Sequence, residues 1–389
     1  MTPFKCLLPS TIVYGPGKAN ELGALLAGEH ILFISDKGVQ GAGVADSVLA
    51  ACREGAASFS EYWDVPPEPT EEQVEVVAAA VDRPGLSVIV AMGGGSVMDM
   101  AKFVSVMVQG GPSMVDMFEG RLPAGKQVKL VMIPTTAGTG SEATPNSIAL
   151  RPALNLKVGV VCPYFMPDYV VLDPELLCGL PPHITAATGL DALCHALECF
   201  VSNKANPISD MFALESMRLT FKSLQKAYEN GKDIEARGDT LLAAFYGGVC
   251  IASSGTNAVH ALSYPLGGRY RIPHGVSNAI LLAPAFAYNM DACMAKLAQV
   301  AELAAASRGE SLAGKSEQQR AQYLVDFLAA LTRNLKIPAS LEELGIPASD
   351  LDWLVDAAFE VKRLLNNNPK PLGKTDIRTI YTSILTRKC

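Results

Sequence analysis

The chain has 389 residues, which is more than a single hydrophobic core usually contains. This length predicts two domains. Hydrophobic residues make up 49% and charged residues only 18%, a composition that excludes a disordered chain. The net charge is -7 at pH 7 and no stripe of Lys or Arg is present, so no nucleic-acid partner is expected.

Cysteine usage and apolar runs bear on the cellular compartment. Nine cysteines are scattered without a C-x-x-C pair, a pattern typical of reduced thiols. In the N-terminal stretch MTPFKCLLPSTIVYGPG, polar, Pro and Gly residues interrupt the apolar residues too early for a signal peptide. The longest apolar stretch, Leu241–Ser253, contains two glycines and is too short to span a bilayer. We therefore expect a cytoplasmic protein without a membrane partner.

Short apolar runs alternate with helical periodicity over the first 180 residues. Runs with the length and composition of buried parallel strands occur at Ile31–Ser35, Val88–Ala91, Leu130–Ile133 and Val170–Leu172. Helical stretches include Glu71–Val81 and Val97–Val108, and Ser147–Leu150 with Lys157–Val161 indicates a hairpin. The alternation predicts an α/β domain with a parallel sheet over residues 1–180.

Strand patterns end at Pro181 and Pro182. Helical periodicity follows, as in Ile184–Val201, Ile208–Ala227 and Ile234–Ser253. The sequence therefore predicts a second, all-helical domain over residues 181–389.

Two loops at the ends of predicted strands have the composition of phosphate-binding turns. The glycine loop, Ala91–Asp99 (AMGGGSVMD), leads from a strand into a helix, so its free N–H groups and the helix dipole would suit a pyrophosphate. The threonine loop, Pro134–Glu142 (PTTAGTGSE), offers four hydroxyls and two glycines. Ordinary glycine-rich and Ser/Thr turns are the alternatives, but two such loops at the carboxyl ends of parallel strands favour a nucleotide crevice. Asp36, after an early strand, could bind a ribose diol or cap a turn.

Histidines are rare, with five in the whole chain. Asp191 and His195 stand four apart and share one helix face. His260 lies in another helical stretch, and His274 follows Pro273 in a predicted turn. Three imidazoles and a carboxylate form a ligand set for ferrous iron or zinc. Buried core histidines are the alternative, but no cysteine pair of the kind structural zinc sites use is near in sequence, so a catalytic metal is favoured.

Five segments resemble the iron-containing (group III) alcohol dehydrogenase family, over essentially the whole chain. They are Gly93–Lys102, Pro134–Thr144, Leu172–Leu177, Gly189–Ser202 and Asn257–Gly275. The resemblance implies an α/β N-terminal dinucleotide-binding domain and an all-helical C-terminal metal-binding domain, as in dehydroquinate synthase-like proteins. It also implies NAD, or NADP, and a metal in the cleft between the domains. The expected enzyme is a metal-dependent oxidoreductase that transfers hydride between this cofactor and a short-chain alcohol or aldehyde, as a homodimer or larger homo-oligomer.

The resemblance also assigns site residues. The metal ligands would be Asp191, His195, His260 and His274, holding Fe²⁺ or Zn²⁺. The cofactor contacts would be Asp36, Gly94, Gly95, Ser96, Thr135, Thr136, Thr139 and Lys157. Asp36 favours NAD over NADP, because a carboxylate repels a 2′-phosphate.

Two positions depart from the family. Tyr264 stands where many relatives carry a His proposed to relay the proton; its hydroxyl can still donate and accept, or the ring can serve as a wall beside the nicotinamide. Glu68 replaces an Asn and alters one adenine-side contact. Phe118–Gly120, Arg363–Leu365 and the HALSYPLGG stretch are most similar to the 4-hydroxybutyrate dehydrogenase branch.

Arg269 and Arg271 lie between the third and fourth expected ligands. Cations at that position could hold an anionic tail of the substrate, as in succinic semialdehyde or sulfoacetaldehyde; a surface pair or a subunit contact is the alternative. A second function on the same fold is a lyase or cyclase of the dehydroquinate synthase type. That chemistry needs more basic residues near the ligands, to bind a phosphorylated substrate, than this sequence offers.

Overall fold

A six-stranded parallel sheet organises the N-terminal part of the chain. The computed structural model describes residues 3–81, 84–152 and 156–386. In chain order the strands are β1 Thr11–Tyr14, β2 His30–Ile34, β3 Ser58–Tyr62, β4 Val88–Gly93, β5 Lys129–Pro134, β6 Asn146–Arg151, β7 Leu156–Val161 and β8 Tyr169–Leu172. The sheet order is β1-β8-β5-β4-β2-β3, with parallel neighbours throughout, and β6 and β7 form a separate antiparallel hairpin. The predicted parallel sheet and hairpin are both confirmed.

Helices accompany this sheet. They are α1 Leu22–Leu25, α2 Lys37–Ala42, α3 Asp46–Gly55, α4 Glu71–Val81, α5 Gly95–Met107 and α6 Met114–Phe118. Alternate strand residues enter two different cores: Ile89 and Leu130 belong to one, and Val90 and Val131 to the other. Because both faces of the central strands are covered, those strands are almost wholly apolar, and this is why their runs could be recognised from sequence.

The sequence prediction missed β1 and β3, which are the two edge strands of the sheet. In β1 half-buried and exposed side chains alternate, and in β3 the two kinds are mixed. Neither strand contains a fully buried residue. An edge strand has a neighbour on one side only and carries polar residues, so it lacks the continuous apolar run that identifies a central strand.

The remaining chain is helical. Its helices are α7 Pro182–Val201, α8 Pro207–Glu229, α9 Ile234–Ser253, α10 Ala258–Tyr270, α11 His274–Ser307, α12 Glu317–Asn334, α13 Leu351–Phe359, α14 Lys362–Leu365 and α15 Lys374–Ser383. The chain divides into an N-terminal unit, Leu7–Leu180, and a C-terminal unit, Pro181–Cys389 with Met1–Cys6. That Pro3–Cys6 belong to the helical unit was not indicated by the sequence patterns.

Helix α7 carries two of the expected ligands through the core of the C-terminal unit. Among the residues described, it is the one helix long and apolar enough to cross a membrane, yet 89% of its most apolar window is buried inside the fold. Leu193 and Leu197 on this helix join the main helical core. The apolar composition is therefore that of a core helix.

The prediction that His274 lies in a turn is wrong. His274 is the first residue of α11, and Pro273 precedes it in an extended conformation with ψ 136°. Proline fixes φ and is common where a helix begins, so the same residue that suggested a turn marks a helix start here. The imidazole is thereby attached to the start of a long helix, which is kinked at Cys293.

Candidate functional site

Four side chains from three helices converge in the C-terminal unit. Asp191 and His195 lie on α7, while His260 and His274 lie in the first turns of α10 and α11. One ligand atom from each lies within 4.8 Å of all the others. Asp191 Oδ1 is 3.7 Å from His195 Nε2, 3.8 Å from His260 Nε2 and 3.7 Å from His274 Nε2. Donors around a tetrahedral ion at ~2.1 Å would be ~3.4 Å apart, so the cluster has nearly the spacing of a metal shell.

Asn278, one turn after His274 on α11, contacts polar atoms of three of the four clustered side chains. Its Nδ2 atom lies 2.6 Å from Asp191 Oδ1, 3.1 Å from His260 Nε2 and 3.2 Å from His274 Nε2. An amide nitrogen has only two hydrogens, so it cannot satisfy three acceptors at once. Acceptor atoms that converge in this way on one small region fit a divalent cation.

The protonation states of the cluster suit metal binding. Burial pushes the pKa of the Asp191 carboxyl upward, but His195, His274 and His260 outweigh burial and hold that pKa below its ordinary value. Burial lowers the pKa of His260 to about 4. At neutral pH an ionised carboxylate therefore faces a neutral His260 imidazole, and these are the forms that bind a divalent ion.

Glu198 supports the cluster from behind and was missed by the sequence prediction. It is fully buried on α7, and its Oε1 accepts the backbone N–H groups of Asn257 (3.1 Å) and Val259 (2.6 Å) where α10 begins. Its Oε2 pairs with His260 Nδ1. Burial raises the pKa of Glu198 to about 8, against the lowering effect of these N–H donors. An ionised Glu198 can only accept, so it would hold the proton of His260 on Nδ1 and leave the lone pair on Nε2, the atom in the cluster.

Tyr264 lies next to these ligands. It is one helical turn after His260 on α10, and its ring centroid is 6.4 Å from that of His274. Burial raises the pKa of Tyr264, so the hydroxyl keeps its proton at neutral pH, while Arg363 lowers that pKa through charge and a hydrogen bond to the hydroxyl.

The two arginines that the sequence suggested for an anionic substrate are placed differently. Arg269 forms an ion pair with Asp350 at 3.2 Å and lies over the Trp353 ring at 4.5 Å, so it joins α10 to α13. Arg271 ends α10 in a left-handed conformation with φ 55°. The cation whose charge lowers the pKa of Tyr264 is Arg363, a residue that the sequence analysis noted only as a mark of the branch.

In the N-terminal unit, the glycine and threonine loops lie side by side. Gly93 pairs with Pro134 at the ends of β4 and β5, and Thr135 N donates to Gly93 O at 3.0 Å. Gly95 approaches the threonine loop so closely that a Cβ placed on it would be 2.8 Å from Thr139 Cγ2. Gly94 similarly faces Thr136. Thr135, Thr136, Thr139, Gly94 and Gly95 therefore lie together at the carboxyl edge of the sheet.

A buried lysine joins the two loops and was also missed from sequence. Lys102 on α5 is fully buried, and its Nζ donates to Ser141 O (2.6 Å), Ser141 Oγ (2.8 Å) and Thr144 Oγ1 (3.0 Å). Asp99 Oδ1 accepts from Ser141 Oγ at 2.7 Å. Burial lowers the pKa of Lys102 to about 8, while Asp99 and Glu142 act to raise it. These contacts fix the helix after the glycine loop against the threonine loop.

The other predicted cofactor residues lie in the same unit. Ser96 Oγ accepts the backbone N–H of Glu68 at 3.0 Å, and Glu68 Oε1 pairs with Lys157 Nζ at 2.5 Å. Asp36 follows β2, the neighbour of β4 in the sheet, and its side chain accepts from Val39 N as the cap of α2. The structure thus places Ser96, Glu68 and Lys157 together, and it shows a capping role for Asp36.

Comparison with known proteins gives the family. The profile "Iron-containing alcohol dehydrogenase" matches residues 9–174, and "Fe-containing alcohol dehydrogenase family, C-terminal" matches residues 185–385. The chain is 36% identical over 359 residues to long-chain-alcohol dehydrogenase 1 of Geobacillus thermodenitrificans, covering 92% of this chain and 89% of that protein. It is 34% identical over 343 residues to 4-hydroxybutyrate dehydrogenase of Clostridium kluyveri, covering 86% and 89%.

A solved structure agrees with these matches. The sulfoacetaldehyde reductase of Bifidobacterium kashiwanohense in complex with NAD⁺ superposes with a TM-score of 0.88 at 28% identity, over 100% of both chains. The matching segments include both loops and all four converging metal-type ligands. This chain belongs to the iron-containing alcohol dehydrogenase family and is an oxidoreductase of that family.

Proposed function

We propose that this enzyme interconverts a short-chain alcohol and its aldehyde with NAD as the hydride carrier and a divalent metal held by Asp191, His195, His260 and His274. The observation that carries the proposal is the convergence of those four ligand atoms within 4.8 Å in a chain of this family. Bound there, the ion would act as a Lewis acid on the substrate oxygen, with ferrous iron expected from the family and zinc compatible with the ligands.

The surrounding residues have separate tasks in this proposal. Glu198 holds His260 in the tautomer that presents Nε2. Tyr264 keeps its hydroxyl proton at neutral pH and offers a path by which the substrate hydroxyl proton can be exchanged. The N-terminal unit binds the cofactor: the free N–H groups at the start of α5 and the threonine hydroxyls receive the pyrophosphate.

Selectivity for the cofactor would depend on Asp36 and Lys157. A carboxylate after β2 favours the ribose diol of NAD and repels the 2′-phosphate of NADP. Asp36 is engaged by Val39 N through one oxygen, which leaves the second oxygen for a diol. Lys157 is paired with Glu68, so the cofactor would have to share or displace this ion pair.

The substrate range, the compartment and the assembly belong to the same proposal. Relatives are named for a long-chain alcohol, for 4-hydroxybutyrate and for sulfoacetaldehyde, so both uncharged and anionic substrates occur among them. We propose a small substrate with an anionic tail. The free thiols of the cysteines in the described residues fit a reducing compartment, and we place the enzyme in the cytoplasm as a homodimer or larger homo-oligomer.

A direct assay tests the proposal. Metal-free protein is loaded with Fe²⁺ or Zn²⁺ under nitrogen and mixed with NADH and a panel that contains butanal, succinic semialdehyde and sulfoacetaldehyde. We expect metal-dependent loss of the reduced-nicotinamide absorbance with at least one aldehyde. Absence of NADH oxidation with every aldehyde and both metals would refute the proposal.

Replacement of Gly95 by alanine tests the cofactor crevice. The added Cβ would meet Thr139 Cγ2 at 2.8 Å, so either the helix start or the threonine loop must shift. Overpacking of this kind costs ~1–3 kcal/mol, and we expect NADH affinity to fall by about 10- to 100-fold. Titration of NADH fluorescence measures the change.

Gly179→Ala is the matched control for this variant. Gly179 lies in the same unit, and a Cβ there meets open space. Its NADH affinity should equal that of the parent protein. Equal affinity in Gly95→Ala as well would show that the crevice does not receive the cofactor.

A further inference from the structure

Glu68 joins three segments of the N-terminal unit. It lies in the loop between β3 and α4, and its backbone N–H donates at 3.0 Å to Ser96 Oγ, in the first turn of α5. Its Oε1 pairs with Lys157 Nζ on β7 at 2.5 Å. The next residue, Pro69, accepts from Leu150 N at 2.9 Å, and Leu150 stands opposite Lys157 in the hairpin. The loop is therefore held against both the hairpin and the start of α5.

The hairpin is itself fixed to α5. Asp99, one turn into this helix, accepts from Ser147 Oγ at 2.9 Å through its carbonyl and from Ile148 N at 3.2 Å through Oδ2. The amino end of the same helix carries the free N–H groups that receive the pyrophosphate in the function proposed above. Through these contacts and through Glu68, Lys157 is a cation held beside that helix end.

The two members of the ion pair differ in exposure. Only 15% of the Lys157 side chain is exposed, against 42% of the Glu68 side chain. A mostly buried ammonium group costs free energy without an anion beside it, whereas a half-exposed carboxylate can be solvated by water. Replacement of the anion is therefore easier than replacement of the cation, and a phosphate that reaches the start of α5 can take the place of Glu68.

The backbone of Glu68 is in an unusual conformation. Its φ is 52°, in the left-handed region that Asn and Asp adopt more readily than other residues with a side chain. The contacts with Ser96 and Lys157 hold it there. An Asn would fit this backbone better but would leave Lys157 without its carboxylate partner. The ion pair is thus what a glutamate adds at this position.

We propose that Glu68 competes with the cofactor phosphates for Lys157 and so sets the affinity for the dinucleotide. In the free enzyme Lys157 pairs with Glu68. When a dinucleotide binds, Lys157 exchanges that carboxylate for a pyrophosphate oxygen, and Glu68 turns to water. Glu68 therefore weakens cofactor binding and speeds cofactor release. The inference rests on the function proposed above and deepens its account of the cofactor site.

The test compares binding of ADP-ribose, which has the pyrophosphate of NADH, with binding of adenosine, which has no phosphate. In Glu68→Gln and in Glu68→Asn we expect the Kd of ADP-ribose to fall about three- to tenfold, because Lys157 is released from a partly exposed ion pair. The Kd of adenosine should stay at the wild-type value. Lys157→Met should raise the Kd of ADP-ribose by a similar factor. Calorimetry on the metal-loaded protein measures these values.

Salt and release kinetics give readouts that a merely structural role of Glu68 would not move. The difference in Kd between wild type and Glu68→Gln should shrink when the salt concentration rises from about 0.05 M to about 1 M, because salt screens the exposed charge. Stopped-flow fluorescence should show NADH dissociating about three- to tenfold more slowly from Glu68→Gln, since affinity differences at one site arise mainly in the dissociation rate.

Glu71→Gln is the matched control. Glu71, the first residue of α4, pairs with Arg151 of the same hairpin at 3.4 Å, so the change removes an equal charge from a neighbouring ion pair. It should leave the Kd of ADP-ribose within about twofold of wild type, which is the range of a weak surface pair. An effect as large as that of Glu68→Gln would assign the change to general charge and overturn the inference.

Other outcomes would also overturn it. One is an unchanged or higher Kd of ADP-ribose in both Glu68 variants. A second is an equal change for ADP-ribose and adenosine, and a third is an unchanged Kd in Lys157→Met. If wild type binds ADP-ribose but oxidises NADH with no aldehyde, the proposed function fails, and the Kd values still decide the role of Glu68. If wild type binds neither ADP-ribose nor NADH, both fail.

Discussion

We expect Asp191→Asn to purify without its metal ion and to have a kcat/KM more than about 100-fold below that of wild type. Loss of a residue that only supports a metal ligand costs up to about 100-fold, so loss of a ligand itself should cost more. Asp191 Oδ1 is the shared neighbour of the three histidine Nε2 atoms, at 3.7 to 3.8 Å from each. The substitution keeps the side-chain shape but removes the single carboxylate of the set. Metal content by elemental analysis and kcat/KM with the best aldehyde measure the two effects.

NADH affinity separates this effect from general damage. The glycine and threonine loops belong to the N-terminal unit, so Asp191→Asn should bind NADH as wild type does. Asp173→Asn is the control: this carboxylate is buried in the N-terminal unit and caps a turn by accepting from Gly17 N and Ala19 N. It should lower thermal stability and keep the metal. A stoichiometric ion in Asp191→Asn would contradict the assignment of Asp191 as a ligand.

Glu198→Ala should lower both the metal affinity and the stability of the folded protein. The change leaves Asn257 N, Val259 N and His260 Nδ1 without their buried acceptor. Each buried donor without a partner costs ~1–3 kcal/mol. The loss of a carboxylate behind a ligating histidine also lowers metal affinity by about 10- to 100-fold. Thermal melts of the metal-free protein and competition with a chelating dye measure the two quantities.

Glu198→Gln separates these two roles. The amide oxygen can still accept from Asn257 N and Val259 N, so the stability of the metal-free protein should stay near that of wild type. The amide NH₂ donates, however, so it would favour the His260 tautomer with a bare Nδ1 and a proton on Nε2. Metal affinity should therefore fall while metal-free stability is kept.

The control for both variants is another helix cap of the same unit. Asp233 caps α9 by accepting from Ala236 N at 3.0 Å, and no hydrogen bond among the described residues joins it to a candidate ligand. Asp233→Ala should cost ~1 kcal/mol of stability and leave metal affinity unchanged. If Glu198→Gln binds metal as tightly as wild type, Glu198 acts only as a helix cap.

The features recognised from sequence are those with a local signal. The central strands could be predicted because burial on both faces makes each of them a continuous apolar run, whereas the edge strands β1 and β3 carry mixed residues. The candidate ligand set was identifiable because histidine is rare in this chain, and a carboxylate one turn before a histidine shares its helix face.

The features that were missed depend on tertiary contacts. Glu198 and Asn278 contact candidate ligands on other helices, and only the folded chain brings the start of α10 to Glu198. The sole local signal for Glu198 is an acidic residue in an otherwise apolar stretch of α7. Lys102 gives the same signal within α5. Arg269 was a candidate for the substrate because it lies between two expected ligands in sequence, but its contacts with Asp350 and Trp353 commit it to α13.

Location of the bound ion tests the central claim most directly. Crystals of protein loaded with iron or zinc, measured on both sides of the metal absorption edge, should show one strong anomalous peak per chain. The peak should lie ~2.0–2.2 Å from an Asp191 carboxylate oxygen and from the Nε2 atoms of His195, His260 and His274. A fully occupied ion bound elsewhere, with those four side chains left free of metal, would contradict the account.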